Sequence, residues 1–69
     1  MNVVDGYVLK DVTADELMAY RRKAKGSYGK YARLVLRRAV VSPDVTLNSF
    51  TGDIVTLKKI IEFVEEHAK

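Results

Sequence analysis

Apolar residues first gather at Val3-Val4 and Tyr7-Val8-Leu9, a β-branched and aromatic stretch interrupted by Asp5-Gly6, a pair that favours a turn. This pattern predicts one short strand or an extended arm within residues 1–12. A lone strand leaves its backbone donors and acceptors unpaired. It therefore requires a partner, either within the fold or on a neighbouring copy, and Val45-Thr46-Leu47 is the expected internal one.

The spacing then becomes helical. Thr13-Ala14-Asp15-Glu16 has the form of a capping box, in which the Thr13 hydroxyl accepts the Glu16 amide and the Glu16 carboxylate accepts the Thr13 amide. A helix should begin at Ala14, with Leu17, Tyr20 and Ala24 as a narrow apolar stripe running to about Lys25, and Gly26 should end it in a left-handed conformation. Acids in its first turn and Lys23 and Lys25 in its last both suit the helix dipole. Ser27 can cap a second helix, whose Tyr28, Tyr31, Ala32, Val35, Leu36 and Ala39 form the clearest amphipathic pattern in the chain. Pro43 disfavours helix at Ser42, which predicts a stop near Val41. From Pro43 to Gly52 the chain reads as a loop, with Val45, Leu47 and Phe50 as plugs into the core.

Thr51 or Asp53 can cap a third helix with Ile54, Leu57, Ile61, Val64 and Ala68 as its inward stripe. Ile60 and Phe63 widen that stripe beyond what two partner helices cover. The surplus either forms a contact with a partner or second copy, since monomers rarely expose large apolar patches, or packs under the N-terminal strand. The expected fold is mainly α: a single three-helix domain over residues 1–69 with a short N-terminal strand or extended arm, a small α+β arrangement being the variant.

Composition narrows the class. Sixty-nine residues that are 48% hydrophobic and 30% charged describe a globular chain rather than a disordered one. A chain this short buries only about 60% of its unfolded surface, and small domains usually gain stability from disulfides, metals or self-association. With no cysteine and one histidine, His67, self-association or docking on a partner is the expected route. The lack of cysteine also fits a reducing compartment, the cytoplasm. Asp5, Lys10 and Asp11 break the N-terminal segment, so it does not read as a signal peptide, and no apolar run reaches the roughly 18 residues of a membrane span.

Charge is distributed unevenly. Residues 1–16 carry a net −3, residues 17–43 a net +8 with no acid at all, and residues 44–69 a net −2. Lys30, Arg33 and Arg37 share the second helix's polar face, and Arg38 with Arg21, Arg22 and Lys23 can extend it into one patch. Arginine's fork of donors suits phosphate oxygens. The same patch also suits an acidic protein surface, the chain's own acidic last helix, or simple solvation. A nucleic-acid-binding role through Arg21, Arg22, Lys23, Lys30, Arg33, Arg37 and Arg38 is the alternative function, and Tyr28 and Tyr31 could stack bases although their spacing first suits the core.

Catalysis is not expected. His67 lies near a helix end, where it can serve the terminal carbonyls; Glu62, Glu65 and Glu66 beside it suggest a weak metal set but read first as surface charge. Gly26 and Gly29 in Gly-Ser-Tyr-Gly follow no strand and do not form a phosphate-cradling loop, and Ser27 has no histidine arranged to activate it. No catalytic, cofactor or metal site is assigned.

The segment Tyr31-Ala32-Arg33-Leu34-Val35-Leu36-Arg37-Arg38-Ala39-Val40-Val41-Ser42-Pro43 resembles the leucine-rich helix followed by Val-Val-x-Pro in phage tail assembly chaperones. The threonine entry Thr13-Ala14-Asp15-Glu16-Leu17 and the Thr51-Gly52-Asp53 that precedes the last helix keep that family's order. The resemblance spans residues 7–65 in organisation and is specific over residues 31–43. It implies a viral protein of the host cytoplasm, all-α or α+β, that multimerises and binds the long helical tape measure protein until tail-tube subunits polymerise around it. The helical faces of this sequence, rather than the family, place that contact on exposed parts of Ile60, Phe63 and Val64, with Arg33 and Arg37 as an electrostatic rim.

Overall fold

The structure, a computed structural model, describes residues 2–42, 47–50 and 52–69. Among these are three helices and a small antiparallel sheet of three strands. The order is β1 (Asn2–Val4), β2 (Tyr7–Leu9), α1 (Ala14–Ala24), α2 (Tyr28–Ala39), β3 (Val40–Ser42), a 3-10 helix (Leu47–Phe50) and α3 (Ile54–Glu66).

The N-terminal segment is a hairpin rather than a single strand or arm. Asp5 and Gly6 both take positive φ, 48° and 86°, so the backbone reverses in a two-residue loop whose twist matches paired strands. Asn2 faces Leu9, Val3 faces Val8 and Val4 faces Tyr7. The expected pairing with Val45-Thr46-Leu47 gives way to another: β2 pairs with β3, Val8 opposite Ser42 and Leu9 opposite Val40, with an irregularity that leaves Val41 as the extra residue. Val45 and Thr46 lie outside the described residues, and Leu47 opens the 3-10 helix.

This pairing explains why α2 stops at Ala39, before the predicted end near Val41. Val40 and Val41 are β-branched and stiff at χ1, which weakens their helical preference. In the extended conformation they complete the sheet, with Val40 at φ −81°, ψ 119°. Lys10 N–H donates to the Ala39 carbonyl at 2.8 Å and extends the join. Pro43, the residue from which the helix stop was read, lies outside the described residues.

The helix starts follow the sequence more closely. Thr13 and Glu16 form the reciprocal capping box, Ser27 accepts from Lys30 N–H, and Asp53 accepts from Thr56 N–H at 3.3 Å. Thr51, the other candidate cap of α3, lies outside the described residues. At the end of α1, Lys25 itself is left-handed, and Gly26 follows it at positive φ.

The core draws on every layer: Leu9, Val12, Leu17 and Ala24, the α2 stripe Tyr31, Ala32, Val35, Leu36 and Ala39, then Phe50, Leu57, Ile60, Ile61 and Val64. Phe50 is the buried plug that its position in the loop predicted, and the Tyr7 ring packs against it at a tilt, with ring centroids 5.5 Å apart. Ile54 is the exception in the α3 stripe. It stands half exposed in the first turn, and the buried run begins at Leu57.

The hairpin lies over α3, as β1 and α3 pack together and Asn2 and Leu9 border Phe63, Val64 and His67. The surplus apolar surface of the third helix is therefore used internally. Ile60 is 0% exposed and Val64 5%. Lys69 joins the segment before α1: its N–H donates to the Val12 carbonyl, and its carbonyl accepts from Ala14 N–H.

Candidate binding surfaces

Placing the partner contact on exposed parts of Ile60, Phe63 and Val64 requires correction, because Ile60 and Val64 have almost no exposed part. Phe63 is half-buried, and the His67 ring stacks on it at 4.1 Å between centroids. His67 Nδ1 lies 3.0 Å from the Phe63 carbonyl, which gives this histidine a helix-end role. The neighbouring acids do not converge on it, since Glu65 turns toward Arg21 and Tyr31. Among the described residues no group of three histidine, cysteine, aspartate or glutamate side chains is placed to hold a metal ion.

The exposed large apolar side chains lie on the helices, as Met18, Tyr28, Ile54 and Val55, and on the sheet, as Val3 and Val41. Side chains alternate across a strand. Val4, Tyr7, Leu9 and Val40 therefore face the core, whereas Val3, Val8 and Val41 face outward. Val3 is 67% exposed and Val41 41%. Sequence reasoning misses the pair because the two valines are distant in sequence and Val41 continues the apolar run of α2.

The basic residues fall into two groups. Arg21 and Arg38 are held by the chain's own acids. Arg21 Nη2 donates to Glu65 Oε2 at 2.7 Å, and Arg38 donates to Glu16 through Nε and Nη2. Glu65 Oε2 also accepts the Tyr31 hydroxyl at 2.8 Å, and the Arg21 guanidinium lies 5.5 Å from the Tyr31 ring centre. This node joins all three helices. The second group, Arg22, Lys23, Lys30, Arg33 and Arg37, is exposed and has no acidic partner among the described residues.

An open cleft of about 340 Å³ sits at the α1–α2 turn, lined by Arg21, Ala24, Gly26, Ser27, Tyr28 and Tyr31. Burial raises the Tyr28 and Tyr31 hydroxyl pKa values, and for Tyr31 the bond to Glu65 adds to the rise. Both phenols stay protonated at neutral pH. Tyr31 belongs to the core, with its hydroxyl bonded to Glu65, so of the two rings suggested for stacking only Tyr28 is exposed.

Two carboxylates couple the fold to pH. The Arg38 guanidinium, then the Thr13 backbone amide, holds the Glu16 carboxyl below its ordinary value, and Lys69 does the same for Asp11. A depressed folded-state value contributes stability that is present above the unfolded pKa and lost as pH falls through the folded one. The urea midpoint should therefore fall once pH drops below about 4.5, near the ordinary carboxylate values. Midpoints measured from pH 7 to pH 3 should fall less steeply on the acid side in Glu16→Gln, and equal slopes would remove Glu16 from this role.

Among the described residues no helix is long and apolar enough to cross a membrane. No protein-family model, curated protein or solved structure matches the chain.

Proposed function

We propose that this chain is a non-enzymatic protein-binding module that multimerises and shelters an apolar helical client, as the tail assembly chaperones resembled by residues 31–43 do for the tape measure protein. The observation that carries this reading is the outward valine face of the sheet, where Val3 and Val41 are exposed beside the half-buried Val8. Its inner face is already covered by amphipathic helices, and an amphipathic helix supplied by a client would complete a third layer in the same way. Among the described residues strands β1 and β3 form the margins of the sheet, which offer backbone groups to a second copy.

Burial of apolar surface drives such binding, so the complex should survive moderate salt. Light scattering coupled to size-exclusion chromatography, at low and high salt and with or without an amphipathic helical peptide, is the test. A salt-resistant oligomer or peptide complex that is lost in Val3→Asp/Val41→Asp, with the helical circular dichroism spectrum retained, supports the reading. A monomer that ignores the peptide at every salt concentration refutes it.

A further inference from the structure

We propose that Lys23, Lys30, Arg33 and Arg37 form one site for the sugar-phosphate backbone of a nucleic acid. The site is separate from the sheet face and does not depend on the protein-binding reading.

Helical geometry sets the four cations side by side. Lys30, Arg33 and Arg37 occupy positions i, i+3 and i+7 of α2, opposite its buried stripe, and all three are exposed. On α1, Glu16, Tyr20 and Lys23 fall at i, i+4 and i+7 and share one side. Glu16 reaches Arg38, so that side runs along α2. The helices are antiparallel, with the first turn of α1 beside the last turn of α2. Lys23, near the end of α1, therefore lies beside the start of α2, close to Lys30.

The ion pairs sharpen the site. Glu16 and Glu65 occupy Arg38 and Arg21, and among the described residues no acid pairs with the four outward cations. Glu16, the acid on the shared side of α1, is already engaged by Arg38 and Thr13. A solvated face of mixed charge would interleave acids, whereas α2 contains none.

Two features favour phosphate over an acidic protein. Protein interfaces are built around apolar cores depleted of charge, yet no apolar residue between Lys30 and Arg37 is exposed, Leu34 being half-buried and the others buried. From Lys30 to Arg37 the helix rises about 10 Å, a length over which one strand of a duplex places about three phosphates. Rigid placement on a helix suits a regular row of anions. The face offers no groove-reading element, so binding should be independent of sequence.

The experiment is fluorescence anisotropy with two labelled DNA duplexes of unrelated sequence across a salt series. Equal affinity for both duplexes is expected, with a logarithmic salt slope of about −3.6 for four phosphates, equivalent to a loss of about 150-fold between 50 and 200 mM salt. Arg33→Gln/Arg37→Gln should reduce the slope by about 2. Arg22→Gln/Lys25→Gln removes the same charge from elsewhere on α1 and its end and should change the affinity far less. Circular dichroism verifies the fold of each variant. The proposal is overturned by any of three results: no duplex binding at 50 mM salt, equal losses in the two double variants, or tighter binding to anionic phospholipid vesicles or poly-glutamate than to DNA.

Discussion

Ile60→Ala should lower stability by about 2–5 kcal/mol, the range for truncating a buried isoleucine, while Ile54→Ala should stay within about 0.5 kcal/mol, as exposed substitutions usually do. Both are isoleucines on α3, and sequence alone makes Ile54 the inward residue and Ile60 the surplus. The structure reverses that order: Ile60 is fully buried and Ile54 is 51% exposed. A domain of this length has roughly 3–10 kcal/mol of total stability, so the loss at Ile60 would bring it close to its unfolding midpoint at room temperature. Urea titrations of the two variants followed by circular dichroism provide the comparison. If Ile60→Ala kept a near-native midpoint while a complex with another protein was lost, Ile60 would be a contact residue and the hairpin would not cover α3 as described.

The reversal shows where sequence reasoning had purchase. Start signals are local, since a threonine, serine or aspartate cap acts on amides within three residues, and all three starts are where the sequence placed them. The stripe on α2 was equally legible because that helix packs on several sides and its pattern spans three turns. The first turn of α3 was misassigned because periodicity states which residues share a face but not how far along the helix a partner extends. Leu57 meets the core, and Ile54, one turn earlier, does not.

The sheet was the least legible element. Its hairpin signal, Asp5-Gly6 between apolar pairs, was visible, but three-residue strands provide too few positions for alternation to be recognised. Its third strand follows α2 directly, where Val40 and Val41 continue a helical apolar run. What decides the conformation there is the hydrogen-bonding partner, β2, more than thirty residues earlier in the chain. The charge pattern was partly readable for the same reason. The excess of cations in the middle is a property of sequence, and the pairing of one of them with the acidic last helix was an open possibility. That Arg21 and Arg38 are the residues neutralised depends on contacts 44 and 22 residues apart.

Removal of residues 1–9 should abolish cooperative unfolding, which separates an integral hairpin from an appended arm. Full burial of Leu9 alone is worth about 1.5–3 kcal/mol, and the Tyr7–Phe50 ring pair adds about 0.5–1.5 kcal/mol. Losing the hairpin also uncovers part of α3, removes both strands that pair with one another, and leaves β3 without its neighbour. Together these losses match a total stability of roughly 3–10 kcal/mol. Thermal melts of residues 10–69 followed by circular dichroism should show a broad decline in place of a sigmoidal transition, and Leu9→Ala should retain the transition at a lower midpoint. A shortened chain that melts cooperatively within about 5 °C of the full one, a shift worth roughly 1 kcal/mol in a domain of this size, would return the segment to the status of an arm. The valine face would then be dispensable to the fold while still available to a partner.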